Sequence, residues 1–356
     1  MLTNLPIDIT ELGRHFADAG HEIALVGGPV RDAFLGVQSN DLDFATSAHP
    51  DETERILSGW ADHQWDVGRD FGTIGARKGD TIVEVTTYRS EAYHMHSRKP
   101  QVEYGTTLEG DLTRRDFTVN AMAVRLPELT FVDPTGGMDD LAGQLLTTPA
   151  TAEQSFDDDP LRIMRAARFT AQLGFEVAPD VMAAMTAMSS RLAIVSVERV
   201  RAELERLVTS LWPRRGIELM VYTGVADVVL PELATLQETV DEHRRHKDVY
   251  EHSLTVLDQA IALETGPDGP VPRPDFVLRF AALMHDIGKP ATRRFEPGGT
   301  LSFHHHELVG ARMTKARMRA LRFDNQTTRD VAKLVELHLR FHGYGEAKWT
   351  DSAVRR

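Results

Sequence analysis

Read for hydrophobic and polar positions alone, the chain opens with helical spacing over residues 8–19, which Gly20 ends. An apolar run then enters Gly27-Gly28, Pro29 opens a second helix, and a strand follows that carries Asp41 and Asp43. Residues two apart on a strand share a face, so these two carboxylates stand side by side. Asp51 to Trp60 has the pattern of a helix, and residues 72–89 that of two strands turning at Lys78-Gly79-Asp80. On the second of these strands Ile82, Glu84 and Thr86 share a face. From Tyr88 to Gly110 the chain is polar, basic at Arg98 and Lys99, and without a period, a length more often functional than packed.

Beyond that stretch the periodicity is helical. Asp157, Asp158, Asp159 and Pro160 open a helix on which Arg162, Arg165 and Arg168 recur every third residue. Two more helices fit residues 180–210, with Met182, Met185 and Met188 as core packing, and Trp212-Pro213 begins a further helical region to His243. An amphipathic helix starts near Tyr250, a Pro- and Gly-rich segment from Gly266 to Pro274 interrupts it, and helical spacing resumes at Leu278. The expected class is α+β: a small mixed sheet with helices, then an all-helical body.

Composition narrows what such a chain does. Its 356 residues, 42% of them hydrophobic, suffice for two or three domains. No apolar run reaches membrane-spanning length and no basic-then-apolar leader stands at the start, so a soluble, cytoplasmic protein without a membrane partner is expected. With no cysteine, His, Asp and Glu are the strong metal ligands left. A net charge of −13 argues against a general basic coat, so RNA would need a local basic face. The dense basic helix with Arg312, Lys315, Arg317, Arg319 and Arg322 offers one, though the same pattern describes a solvated helix.

Carboxylate pairs suit Mg²⁺, which takes one or two acidic groups with waters and substrate phosphates, and two such ions align an attacking hydroxyl with a leaving pyrophosphate. The Gly-Gly turn ahead of a helix lets backbone N–H groups approach a triphosphate. Taken apart, each feature also reads as a tight turn or a capped strand end. Together, Gly27, Gly28, Val30, Arg31, Asp32, Asp41 and Asp43 resemble the G-G-x-V-R-D…D-x-D signature of polymerase-β-like nucleotidyltransferases, specifically the bacterial tRNA nucleotidyltransferase and poly(A) polymerase family. The run from Arg114 to Ala123 likewise matches that family's R-R-D-F-T-x-N-A-M-A motif. Asp116 and Asn120, one turn apart on an expected helix, can bond a ribose, and the resemblance implies that Arg115 and Asp116 hold the incoming nucleotide. Glu84 is the candidate third carboxylate that such palms carry; a solvent-side strand Glu fits the pattern equally well.

Two further elements carry the resemblance. Asp133-Pro134-Thr135-Gly136-Gly137 through Leu141 resembles D-P-x-G-G-x-x-D-L, which implies a structural hinge with Asp133 and Gly137 as its key positions. Asp158 to Phe169 resembles E-D-x-x-R-x-x-R-x-x-R-F with Asp in place of the first Glu. That implies base reading by Asp159 and Arg162, with Arg165 and Arg168 in the nucleotide-binding set. The stretch from Tyr88 to Gly110 is similar in position to the family's loop for terminal A addition, which implies complete CCA addition.

Histidines concentrate in the last third. His285-Asp286 on a helix, with His252 before and His306 and His338 after, resembles the HD metal-dependent phosphohydrolase domain, and Asp351 has the separation of its terminal acid, although an N-cap would also suit that position. Imidazole and carboxylate without thiolate leave Mn, Fe, Co, Ni, Zn or Mg open as a second divalent metal. The chain stops at Arg356 where the resemblance expects it to continue, as a truncated chain would.

The resemblance implies a nucleotidyltransferase head over 1–145, a helical neck over 146–210, a connector over 211–244 and an HD-like domain over 245–356. The implied reaction is template-independent addition of C, C and A to tRNA from CTP and ATP, with Asp41 and Asp43 holding Mg²⁺, and with no DNA partner. Alternatives are poly(A) polymerase, an HD phosphohydrolase with a secondary head, and a non-catalytic RNA-binding scaffold.

Overall fold

The computed structural model describes residues 8–38, 41–90, 103–239, 248–265, 273–297 and 301–341. It divides into two compact units, one of residues 1–162 and 175–184, the other of 163–174 and 185–356.

The first unit is built on strands and short helices in the order α1 (Ile9–Asp18), β1 (Ile23–Val26), α2 (Gly28–Phe34), β2 (Asp41–Thr46), α3 (Pro50–Ser58), β3 (His63–Trp65), β4 (Thr73–Lys78), β5 (Thr81–Thr87), β6 (Arg89–Ser90), β7 (Glu103–Tyr104), α4 (Leu108–Thr113), β8 (Ala123–Leu126), β9 (Thr130–Val132), α5 (Gly137–Gly143), β10 (Leu145–Leu146) and α6 (Ala152–Asp158). Asp8 caps α1 by accepting from the Thr10 N–H at 2.9 Å. Gly20 after α1 has φ +82, the left-handed backbone that suits a glycine stop.

Seven strands form one sheet in the order β3-β4-β5-β2-β1-β8-β9. β2 runs parallel to β5, with Asp43 opposite Glu84, and its other neighbour β1 is antiparallel. Alternation then sorts the side chains. Leu42, Phe44, Val83 and Val85 are buried on one face, while Asp41, Asp43, Ile82 and Glu84 are exposed on the other. Beyond the carboxylates, Ala24, Val26, Ala45, Tyr88, Leu108 and Leu112 form a buried cluster that holds α4 on the sheet.

The second unit takes most of α7 (Leu161–Leu173) and the chain that follows β11 (Glu176–Val177) and α8 (Pro179–Met188): α9 (Val197–Val208), α10 (Pro213–Tyr222), α11 (Val225–Val229), α12 (Pro231–Ala234), α13 (Val249–Leu263), α14 (Phe276–Met284), α15 (Lys289–Thr292), α16 (His306–Ala320) and α17 (Asn325–Leu337). The α+β reading therefore holds. Of the three methionines assigned to packing, Met185 is fully buried, and Met182 and Met188 are partly so. α7 and α10 cross at Gly216, where a Cβ would come within 2.6 Å of the Ala167 carbonyl oxygen. Buried Arg279 binds Glu264 at 2.6 and 2.8 Å and donates to the Val208 and Ser210 carbonyls, which fastens α14 to the end of α9. A lone buried charge would be costly, and this one is paired and bonded on all three nitrogens. Among the described residues no helix is long and apolar enough to cross a membrane.

The hinge-like turn ahead of α5 is fixed by its own hydrogen bonds. The Asp133 carboxylate accepts from the Gly137 and Met138 N–H groups at 2.8 and 2.9 Å. A Cβ on Gly137 would sit 2.2 Å from the Thr118 carbonyl oxygen. Gly137→Ala is accordingly expected to cost about 1–3 kcal/mol, the usual penalty for overpacking, whereas Gly143→Ala, with nothing within 4 Å, leaves stability unchanged or raised. Urea-unfolding midpoints of the two variants test this; equal midpoints would show that the turn yields freely.

Candidate functional site

The carboxylate site follows from strand register. Asp43 on β2 lies beside Glu84 on β5, Glu84 beside Gly75 on β4, and Gly75 beside Trp65 on β3. Asp41 is two residues from Asp43 on the same exposed face. The strand pairing thus brings together three acids that the sequence separates by some forty residues. Desolvation by the surrounding protein pushes the Asp43 carboxyl up although it reaches the surface; Arg115 opposes this, Glu84 and Asp41 add to it, and it stands at about 6. A divalent cation relieves that crowding, and all-oxygen donors suit Mg²⁺.

On the adjoining edge, Gly27 has φ +74 and begins α2. A Cβ there would meet Arg115 Nη1 at 2.8 Å, so the close approach of Arg115 to this turn depends on glycine. Gly28 follows as the first residue of the helix. Arg31 is buried and turns inward, donating to Asp32 at 2.8 and 2.7 Å and to the Asn120 side-chain oxygen at 2.5 Å. Asn120 in turn donates to Asp116 at 3.1 Å, and Asp116 also accepts from the Phe117 N–H. The expected helix carrying Asp116 and Asn120 is absent. α4 ends at Thr113, and Thr118–Asn120 is a single 3-10 turn. Asp116 and Asn120 still meet, because the chain folds back over Asp116 and not because of helical spacing.

The element from Asp158 onward also differs from one continuous helix. α6 ends at Asp158, Asp159 is extended, and its carboxylate accepts from the Leu161 N–H at 3.1 Å to start α7. Arg162 donates to the Ser155 hydroxyl at 2.8 Å and the Arg114 carbonyl at 2.6 Å, which aligns it with the Arg114–Asp116 segment. Arg165 and Arg168 fall in the second unit. There Arg168 is buried, binds Glu203 at 2.5 Å and lies 3.7 Å over the Phe169 ring, with Arg165 3.6 Å from the same Glu203. The three arginines therefore do not act as one solvated stripe. The basic helix α16 likewise spends Arg317 on both Glu232 oxygens, and the following Arg322 pairs with Glu198.

The second constellation is helical. The helix expected to carry His285 and Asp286 stops at Met284, so the two stand in the turn that follows α14, while His252 lies on α13, His306 begins α16 and His338 follows the end of α17. The Nδ1 atoms of His285, His306 and His338 face the Ala282, Phe303 and Val335 carbonyls at 2.8, 2.8 and 2.7 Å, so each Nδ1–H donates and each Nε2 keeps its lone pair. Those lone pairs converge. Nε2 of His252 lies 3.3 Å from that of His285, and Nε2 of His306 lies 3.2 Å from that of His338. Asp286 sits between the pairs, 3.1 Å from His285 through one oxygen and 3.1 Å from His306 through the other. Two ligand groups result, His252-His285-Asp286 and Asp286-His306-His338, sharing one carboxylate. Facing lone pairs repel unless a cation lies among them, so the donor set fits one or two first-row divalent ions. Burial alone would raise the Asp286 carboxyl, but His285, His306 and Lys289 hold it well below the usual range. α16 packs tightly on this site, since a Cβ on Gly288 would meet the His306 carbonyl oxygen at 2.2 Å. Asp351 lies outside the described residues, as do residues 91–102 of the polar stretch.

Comparison with known proteins matches family models to both parts of the chain. The family model described as poly A polymerase head domain matches residues 23–147, that of a probable RNA and SrmB-binding site of polymerase A matches 174–236, and that of the HD domain matches 249–353. An A-adding tRNA nucleotidyltransferase of Deinococcus radiodurans is 36% identical over 327 residues, which is 89% of this chain and 68% of that protein. The chain belongs to the tRNA nucleotidyltransferase and poly(A) polymerase family. Another family member, a CCA-adding enzyme of Streptococcus pneumoniae, is 40% identical over 226 residues, 63% of this chain and 55% of its own, so the chain spans about half the length of such relatives. Among solved structures, a tRNA-processing enzyme in an apo form superposes with TM-score 0.66 at 22% identity, covering 95% of this chain and 84% of its own. The Bacillus stearothermophilus CCA-adding enzyme in complex with CTP gives 0.56 at 24%, covering 98% and 86%. At these identities the likeness bears on the fold.

Three residues of this family member escaped the sequence reading. Asp111 is buried and binds Arg114 at 2.7 Å and Arg115 at 3.0 Å; a lone acid in an amphipathic turn gives no signal. Lys289, buried and 3.0 Å from Asp286, was legible as the basic residue three after Asp286 on one helical turn. Glu203 carries no cue until α9 is folded.

The pH dependence of the carboxylate site has a definite sign. The Asp43 carboxyl titrates at about 6 in the folded chain against 3.8 when free, so its ionised form costs stability above that interval and costs nothing below it. Without metal, Asp43→Asn should therefore raise the melting temperature at pH 8, with the gain vanishing below about pH 4. Added Mg²⁺ should reverse the order at pH 8. A gain independent of pH would point to packing instead of charge.

Proposed function

We propose that the chain adds nucleotides to the 3′ end of tRNA, completing C-C-A from CTP and ATP with release of pyrophosphate. The observation that carries this is the Asp43–Glu84 register, with Asp41 on the same face, beside the glycine turn and Arg115. Asp41 and Asp43, with Glu84 as third acid, would hold Mg²⁺, and ions so held lower the barrier by activating a hydroxyl and neutralising charge on a leaving pyrophosphate. The chain's own groups position the rest. Gly27 and Gly28 admit the phosphates close to backbone, Arg115 reaches them from across the turn, and Asp116, aimed by Asn120 and Arg31, faces the ribose 2′-hydroxyl. No protein nucleophile is needed, because phosphoryl transfer is mostly positioning and charge stabilisation.

Base choice belongs to Asp159 and Arg162. An acceptor and fixed donors side by side pair with cytosine and adenine, whereas uracil and guanine would set a carbonyl against the carboxylate. An unmade buried bond costs about 1–3 kcal/mol, roughly ten- to a hundredfold in selectivity. Asp159→Ala or Arg162→Ala should lower CTP-over-UTP preference by about that factor. Single-nucleotide incorporation rates for all four triphosphates measure it; unchanged selectivity in both variants places base reading elsewhere.

The convergent imidazoles support a second reading for the HD part alone: a metal-dependent phosphohydrolase in which His252, His285, Asp286, His306 and His338 would hold Mn, Fe, Co, Ni, Zn or Mg. A primer-extension gel with tRNA lacking its 3′ end separates the two activities. Asp41→Ala should reduce incorporation by about 10²–10³-fold, the usual loss of one charge-stabilising group, and His285→Ala should leave it near normal while removing hydrolysis of 2′,3′-cyclic phosphates. Extension of unstructured RNA by many A residues would instead assign a poly(A) polymerase.

A further inference from the structure

Two guanidinium groups of the head bind a single acid, and a third arginine meets that acid only through its backbone. Asp111 takes Arg114 and Arg115 through its two oxygens, and its Oδ1 also accepts from the Arg89 backbone N–H at 3.1 Å. The Arg89 side chain is left with neutral partners, the Phe71 carbonyl and the Thr73 hydroxyl, and its Nε is buried with no hydrogen-bond partner. Burial and the charge of Arg114 pull this guanidinium below its usual range, though it stays cationic. Such an arrangement has surplus positive charge and an unmet donor.

A cleft of about 300 Å³ opens where they meet, lined by Arg89, Arg114, Thr106, Thr107 and Thr113. The Thr107 hydroxyl accepts from the Gly110 N–H and so keeps its own proton to donate. The cleft offers arginine forks and hydroxyl donors, and among the described residues no carboxylate lines it. That is the chemistry of a tetrahedral oxyanion site. Its place on the sheet is equally specific. Thr73 pairs in register with Thr86, the next outward-facing row after Glu84, and the two hydroxyls lie 2.8 Å apart. Arg89 Nη2 reaches Thr73 at 3.3 Å, so the arginine returns to the face that carries the acids. One row is two residue rises, about 7 Å.

We propose that this cleft is a phosphate subsite of the head, which binds a phosphate either of the acceptor-strand backbone near its 3′ end or of the incoming nucleotide's tail. The proposal rests on the nucleotidyl-transfer reading for its ligand, and it assigns Arg89, Arg114 and the Thr106 and Thr107 hydroxyls, not the acid triad, to holding that phosphate, the Thr113 hydroxyl being given to the Gly110 carbonyl. Arg89 acts as a binding residue. Arg114 serves twice, as the partner of Asp111 and as a wall of the cleft.

Two variants of the full chain test it. Arg89→Gln removes the charge, and Thr113→Glu adds an opposing carboxylate from an exposed position, so the second decides the matter if the first does not fold. Equilibrium binding of labelled tRNA lacking its 3′ end, titrated with KCl, is measured without nucleotide, and KM for CTP and ATP is measured by primer extension. If the strand supplies the phosphate, both variants weaken tRNA binding about tenfold, and the slope of log affinity against log salt becomes shallower by about 0.7–0.9, with nucleotide KM unchanged. If the nucleotide supplies it, KM for CTP and ATP rises by a similar factor and tRNA binding stays put. Both quantities within twofold of an active wild type overturn the subsite. A wild type that binds tRNA but adds nothing overturns the nucleotidyl-transfer reading, and weakened binding in the variants would then still support the cleft as a phosphate site.

Discussion

Crowding of like groups is the constraint on which both chemical centres depend. On the sheet, parallel pairing of β2 with β5 sets Asp43 against Glu84, and Asp41 extends the row. In the helical part, two pairs of imidazole nitrogens face each other at 3.3 and 3.2 Å across Asp286. Neither arrangement improves the fold by itself, since side-by-side carboxylates repel and opposed lone pairs do the same. Each persists because rigid neighbours leave no alternative. The carboxylates stand on central strands whose opposite face is buried, and three of the histidines, His285, His306 and His338, are fixed through Nδ1 by backbone carbonyls three residues earlier. Local repulsion of this kind is what a bound cation would relieve.

Much of the carboxylate site was legible because strand periodicity is short and strict. A period of two places Asp41 with Asp43 and Ile82 with Glu84 without any knowledge of the partner strand. Which strand lies next to which is not carried by that pattern. The pairing of Asp43 with Glu84 required β2 and β5 to be neighbours, and nothing between residues 46 and 81 announces it. The same limit explains the misplaced helix around Asp116. Asp and Asn four apart fit a helical turn, but the chain there turns tightly so that Asp116 can accept from Phe117 N–H and Asn120 while Arg31 closes the network. Local spacing and tertiary hydrogen bonding gave the same contact by different routes, and only the second is realised.

The arginines mark where sequence reasoning fails most clearly, and the reason is physical. A guanidinium reads the same in a sequence whether it serves a ligand or a buried acid. Arg162, Arg165 and Arg168 share a spacing, yet Arg168 is buried on Glu203 while Arg162 bonds Ser155 and the Arg114 carbonyl. Arg31 and Arg279 are also wholly enclosed, each bound to a carboxylate and at least one neutral oxygen. Asp32 is adjacent to Arg31, but Asn120 lies 89 positions away, and the partners of Arg279 lie 15 and 71 away, separations no local pattern spans.

An acidic protein, with a net charge of −13, would grip RNA only through cations that its own acids leave free. Total charge counts every Arg equally, but a cation already neutralised by a buried carboxylate attracts a phosphate little. Arg168 and Arg279 are committed in this way, and Arg317 and Arg322 pair nearer the surface with Glu232 and Glu198. Arg89 is different, since the groups that hold its side chain are neutral and the charges nearest it include two more guanidiniums. Its field is therefore unspent, and it lies in the same half-enclosed cleft as Arg114, where water screens it less than on an open surface. An overall negative chain can then repel polyanions at long range yet hold one phosphate at the place where surplus positive charge, hydroxyl donors and the acid-bearing face of the sheet coincide.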